Sequence, residues 1–130
     1  MSNFNLNQFS LTGKVALVTG ASYGIGFAIA SAYANAGATI VFNDINHELV
    51  DKGLKAYQEN GIQAHGYVCD VTDEEAVNHM IHKIENDVGV IDILVNNAGG
   101  YPKEIYNNIE HQAIKIWEWS EEQWDQIIKT

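Results

Sequence analysis

Apolar residues come in four short blocks, and helical patterns separate them. Lys14 to Thr19 reads as a first strand, apolar from Val15 to Val18. A block without alternation suits a strand covered on both faces. Ile25 to Asn35 reads as a helix, and Gly37 stands where a left-handed C-terminal cap belongs. Ala38 to Asn43 is the second strand, with Ile40, Val41 and Phe42 at its centre. His47 to Asn60 is a second helix, with Leu49, Leu54 and Tyr57 facing inward and Gly61 ending it. Gln63 to Cys69 is a third strand of weaker pattern. Thr72-Asp73-Glu74-Glu75 reads as a capping box, Thr to Glu three residues on. The helix behind it carries Val77, Met80, Ile81, Ile84 and Val88 at helical spacing, and Gly89 closes it. Ile91 to Val95 is the fourth strand. This alternation predicts an α/β, Rossmann-like, doubly wound parallel sheet with right-handed crossovers and helices on both faces.

The pattern breaks after Gly99. Residues 100–119 read as an irregular insertion, with Pro102, Asn107 and Asn108 arguing for loop. Ile109, Ala113, Ile116 and Trp117 hint at a short apolar face within it. Ser120 to Gln123 is a second capping box, and Trp124, Ile127 and Ile128 open another amphipathic helix. Residues 1–10 read as a loose arm. Residues 1–130 are thus expected to be the N-terminal dinucleotide-binding part of one Rossmann domain, truncated after the fourth strand and the start of the next helix.

The chemistry gathers where the first strand meets the first helix. Thr19-Gly20-Ala21-Ser22-Tyr23-Gly24-Ile25-Gly26 is strand, glycine turn, helix. Gly20 allows a sharp turn, Gly24 lets a pyrophosphate approach the backbone, and Gly26 allows close helix packing. The free N–H groups of the new helix then point at the phosphates. Asp44 ends the second strand. A carboxylate there can accept both hydroxyls of an adenosine ribose and would repel the 2′-phosphate of NADP. Tyr23 offers no positive charge to that phosphate, so the pair favours NAD over NADP. A plain turn aspartate is the alternative for Asp44, and an ordinary glycine-rich turn is the alternative for the loop.

Composition narrows the partners. Hydrophobic residues make up 46% of the 130, which is enough for a real core. The net charge is -10, from 17 acidic and 7 basic residues, and such a protein repels nucleic acid and anionic membrane. Neither is an expected partner. The N-terminal residues resemble no signal peptide, and no stretch reaches a membrane span. A single cysteine, Cys69, fits a reducing cytosol and reads as a buried strand residue rather than a nucleophile. His79 and His82 stand three apart, a possible metal pair, on a face shared with Glu75 and Asn78. That face reads as solvated, so no metal is expected.

The loop spacing is T-G-x-x-x-G-x-G rather than G-x-G-x-x-G, and it resembles the glycine motif of the short-chain dehydrogenase/reductase family. Asp44, Asp70-Val71 and Asn96-Asn97-Ala98-Gly99 follow in the family's order, with the right elements between them. The resemblance covers Leu11 to Gly99. It implies that Thr19, Gly20, Ser22, Tyr23, Gly24, Ile25 and Gly26 hold the cofactor's phosphates. Asp70 and Val71 would lie beside the adenine, although Asp70 reads equally as a turn aspartate before the Thr72 cap. Asn97, Ala98 and Gly99 would brace the sheet and line the cofactor's path. Within the family, Ala38 to Asp73 looks most like the gluconate 5-dehydrogenases, with 3-oxoacyl-carrier-protein reductases second.

The resemblance implies hydride transfer between a nicotinamide cofactor and a small alcohol or ketone, a sugar acid such as gluconate. It also implies a cytoplasmic enzyme that forms a homo-oligomer. A non-catalytic dinucleotide-binding module or sensor is the other reading. The family's acid/base tyrosine stands four residues before a lysine, and none of the six tyrosines here does. No catalytic residue is therefore assigned, and the chain alone is expected to be inactive.

Overall fold

The computed structural model describes residues 5–100 and 116–130. They form two compact units, Met1–Ala98 and Gly99–Thr130. The first holds a parallel sheet of β1 (Val15–Thr19), β2 (Thr39–Asp44), β3 (Ala64–Val68) and β4 (Ile93–Val95), in the order β3-β2-β1-β4. Its helices are α1 (Gly24–Asn35), α2 (His47–Glu59) and α3 (Glu74–Asp87).

The two apolar faces of β1 and β2 explain the layering. Ala16, Val18, Ile40 and Phe42 pack with Ala30 of α1 and Val50 and Tyr57 of α2. Leu17 and Val41 pack with Met80 and Ile84 of α3. Successive strand residues point to opposite faces, so an unbroken apolar strand needs a helix on each side. The doubly wound, Rossmann-like reading therefore describes this sheet.

Several element boundaries differ from the sequence reading. The fourth strand starts at Ile93 rather than Ile91. Asp92 acts there instead: its carboxylate accepts from the Val15 N–H (2.8 Å), and its own N–H donates to the Val15 carbonyl (2.9 Å). The third strand is shorter by a residue at each end, so Cys69 lies just past it. The cap of α3 is Asp73, not Thr72. Asp73 Oδ1 accepts from the Ala76 N–H (3.0 Å), while Thr72 Oγ1 donates to Asp70 Oδ1 (2.7 Å). The helix begins one residue later than the pattern suggested, which leaves Thr72 outside it.

The buried face of α2 is Val50, Gly53 and Tyr57, whereas Leu49 and Leu54 are only half buried. Gly53 explains the rotation. A Cβ there would lie 2.9 Å from Phe42 Cε2 and 2.9 Å from the Ser22 backbone, so the helix approaches closest at that residue.

Ahead of β1, Leu6–Phe9 form one 3-10 turn, with Asn5 Oδ1 accepting from the Asn7 N–H (3.0 Å). The second unit holds a 3-10 turn, Ile116–Glu118, and α4 (Glu121–Ile128). Ser120 and Gln123 form the capping box, at 3.2 and 2.9 Å. The Trp119 and Trp124 rings lie 5.1 Å apart. Pro102, Asn107, Asn108, Ile109, Ala113 and His111 lie outside the described residues. No helix among those described is long and apolar enough to cross a membrane.

Candidate functional site

Thr19 to Gly26, Asp44, Asp70, Val71, Asn97 and Ala98 lie at or follow the carboxyl ends of the strands, where an open α/β sheet takes its ligands. Thr19, at the end of β1, is buried. Its Oγ1 accepts from the N–H groups of Asn97 (3.0 Å) and Ala98 (2.9 Å). Asn97 replies through its side chain, with Nδ2 donating to the carbonyls of Thr19 (3.0 Å) and Gly20 (3.2 Å). The Gly20 N–H donates to the Asn43 carbonyl (2.9 Å), and the Tyr57 hydroxyl donates to the Ala21 carbonyl (2.7 Å). The glycine turn is thus held from β4, β2 and α2.

Tyr57 is fully buried, with ring centroids 4.5 Å from Phe27 and 5.0 Å from Phe42. Burial drives its hydroxyl pKa far up, so it stays a donor. The sequence reading places Tyr57 inward, as observed, but assigns no role to its hydroxyl or to the Asn43 amide. Tyr57 fits an apolar helix stripe, where nothing flags its hydroxyl. Asn43 is a polar residue in an apolar strand, and that was a usable signal.

Gly20 and Gly24 have φ of +63° and +66°, a region that L side chains rarely adopt. A Cβ on Gly24 would meet nothing within 4 Å, so the turn opens outward at that point. A Cβ on Gly26 would lie 2.5 Å from Asn97 Nδ2 and 2.9 Å from the Gly20 carbonyl oxygen. Gly26 therefore makes room for the amide of Asn97 as well as for the helix. Tyr23 caps α1 in an extended conformation without a side-chain hydrogen bond, and the first turn holds no acidic residue. The other described α-helices are each capped by a side chain, Asn46, Asp73 or Ser120. The N–H groups and positive dipole end of α1 are left for something else to satisfy. Tyr23 and Ile25 beside them are 67% and 77% exposed. Ser22 is buried, and its Oγ has no hydrogen-bond partner.

Asp44 ends β2, and its Oδ1 accepts from the Ile45 N–H (2.9 Å). Asp70 Oδ1 accepts from the hydroxyl and the N–H of Thr72 (2.7 and 2.9 Å), and these bonds hold its carboxyl below the usual range. Val71 next to it is half buried. Gly99 is exposed and begins the second unit. His79 and His82 are exposed on α3. Among the described residues, no group of three His, Cys, Asp or Glu side chains could hold a metal ion.

Cys69 is buried, and burial, then the charges of Asp70 and Asp73, push its thiol pKa up. It is a protonated thiol at neutral pH. Iodoacetamide should therefore label it slowly in the folded protein and at the ordinary rate in urea. Rapid labelling of folded protein would refute this.

Together the parallel sheet and the glycine turn define a Rossmann-like α/β protein. The sequence model of the family described as short chain dehydrogenase matches residues 14–130, and the chain belongs to that family. It is 42% identical over 122 residues to gluconate 5-dehydrogenase of Gluconobacter oxydans, covering 94% of this chain and 44% of that protein. Among solved structures, 2-keto-3-deoxy-D-gluconate dehydrogenase of Streptococcus agalactiae is 60% identical, with a TM-score of 0.76, covering 93% of this chain and 42% of the other. Gluconate 5-dehydrogenase of Burkholderia cenocepacia, solved with NADP and tartrate, is 34% identical with a TM-score of 0.77, covering 95% and 45%. The chain spans less than half the length of each of these proteins.

Proposed function

We propose that this chain is the cofactor-binding part of an oxidoreductase that moves hydride between a nicotinamide dinucleotide and a sugar acid. One observation carries the reading: α1 starts uncapped, directly behind a glycine turn with open space at Gly24. An anion belongs there, and a pyrophosphate supplies one. The N–H groups from Ser22 to Gly26 would hold it, with Tyr23 and Ile25 along its side. Asp44 would take the adenosine ribose, Asp70 and Val71 the adenine. Thr19, Asn97 and Ala98 would shape the path toward the nicotinamide. The cofactor, when bound, supplies the hydride chemistry; these residues bind and orient it. In this reading the group that takes the alcohol proton is not among the six tyrosines, since none precedes a lysine by four residues.

The names of the similar proteins point to aldonate-type substrates. Of the two they carry, 2-keto-3-deoxy-D-gluconate belongs to the 60%-identical structure and is the one we favour over D-gluconate. The test is NADH formation by the full-length protein with each acid. Turnover of neither acid, with turnover of an acyl-carrier-protein thioester, would replace the sugar acid.

We further infer a preference for NAD over NADP. In this reading Asp44 would place a carboxylate where NADP carries a phosphate, and Tyr23 would bring no compensating cation. One similar structure does hold NADP, which makes the comparison worth measuring. Asp44→Ala should weaken NAD by about 1–3 kcal/mol and narrow the gap between the cofactors. Equal or tighter NADP binding by the unaltered protein would sink the preference.

A further inference from the structure

Asn43 is a polar residue that stability alone does not explain. It is 1% exposed, and strand alternation puts its side chain on the face of Leu17 and Val41, against α3. Its Nδ2 donates to the Cys69 carbonyl (3.1 Å). Its Oδ1 has no hydrogen-bond partner. A buried acceptor left unpaired costs at least what one neutral hydrogen bond contributes. The one bond its side chain makes is offset by that unpaired acceptor, so the amide adds little net stability.

What the amide does is join two turns. Through its backbone carbonyl, Asn43 accepts from the Gly20 N–H (2.9 Å), which fixes the start of the glycine turn. Through its side chain, it holds the carbonyl of Cys69, the residue just before Asp70 and Val71. The Cys69 N–H already donates to the Asp44 carbonyl (2.9 Å), so the amide of Asn43 adds a second tie to that residue, on its other peptide. Beyond it, Asp70 folds back on Thr72 and Asp73 caps α3. One residue thus sets the distance between the segments proposed to hold the pyrophosphate and the adenine.

We propose that Asn43 is a positioning residue that fixes the width of the adenosine half of the cofactor site. The inference rests on the dinucleotide reading above. It is tested in the full-length protein with AMP as the probe, by calorimetry, and with Asn43→Leu, which removes both amide groups while keeping a side chain branched at Cγ. AMP and NAD should each bind about 10-fold more weakly, the effect of one lost hydrogen bond transmitted to the ligand. The melting temperature of Asn43→Leu should change little, because the unpaired Oδ1 is gone while the Cys69 carbonyl loses its donor. The backbone amides of Thr72 and Asp73 should exchange faster with deuterium, with or without ligand. KM for NAD should rise while kcat holds. A merely structural residue would do the reverse, lowering the melting temperature and leaving AMP affinity unchanged. Should Asn43→Leu fail to fold, Asn43→Ala gives the same readouts without added bulk. Normal AMP affinity in either folded variant overturns this inference alone. Failure of the unaltered protein to bind AMP overturns the dinucleotide reading and this inference with it.

Discussion

Gly26→Ala should lose both cofactor binding and stability, whereas Gly24→Val should lose cofactor binding with less damage to the fold. The two glycines stand two residues apart in one turn, yet they face different surroundings. A Cβ on Gly26 would sit 2.5 Å from Asn97 Nδ2 and 2.9 Å from both Ala21 Cα and the Gly20 carbonyl oxygen. Two of those neighbours are backbone, so the turn itself must move. Overpacking of this kind costs about 1–3 kcal/mol. The displaced atoms belong to the turn proposed to cradle the phosphates, so NAD affinity should fall by at least about tenfold as well.

At Gly24 the Cβ meets nothing within 4 Å. The penalty there is backbone strain, since φ is +66°, and such strain costs a side chain about 1–2 kcal/mol. A branched side chain would then stand in the open space proposed for the pyrophosphate. Thermal melting and calorimetry on both variants read the contrast. Normal NAD affinity in folded Gly24→Val would mean that the phosphates lie elsewhere. An unchanged melting temperature in Gly26→Ala would mean that the Asn97 contact does not hold the turn.

The sheet was legible in the sequence because burial on two faces leaves unbroken apolar runs, and β1 and β2 are such runs. The glycine turn was legible because few local structures need three glycines at that spacing. The edges were less legible. β4 is cut short by Asp92, whose carboxylate bonds to Val15, and nothing local shows that pairing between residues far apart in sequence. The rotation of α2 onto Val50 and Gly53 depends on the bulk of Phe42 in the neighbouring strand. Leu49 and Leu54 are the more apolar residues, and a pattern of apolarity alone selects them. The shift of the α3 cap from Thr72 to Asp73 is a one-residue effect. Thr72 is drawn away by Asp70, and both residues are competent caps. Tyr57 and Asn43 act through hydrogen bonds to backbone carbonyls, and only the folded chain shows where those carbonyls lie.

Asn97→Ala should destabilise the protein by about 2–4 kcal/mol, and Asn97→Asp should be worse at neutral pH. The amide Nδ2 of Asn97 serves two carbonyls at once, those of Thr19 and Gly20. Truncation leaves both without this donor, at about 1–3 kcal/mol for each acceptor that water cannot reach. The backbone ties from Asn97 and Ala98 to Thr19 Oγ1 would survive, so the loss isolates the side chain. Asn97→Asp keeps the shape but turns an oxygen toward two carbonyl oxygens. That repulsion disfavours the carboxylate and raises its folded pKa above the unfolded value. A carboxyl group raised in this way is destabilising while it is ionised, and the penalty fades as pH falls through the folded pKa. Asn97→Asp should therefore recover stability relative to Asn97→Ala on acidification, and a protonated carboxyl can also donate one of the two missing bonds. Urea midpoints of the three proteins at neutral and mildly acidic pH provide the check. Equal midpoints for Asn97→Ala and Asn97→Asp at neutral pH, with no divergence in acid, would show that volume and not the Nδ2 donor is what the turn requires.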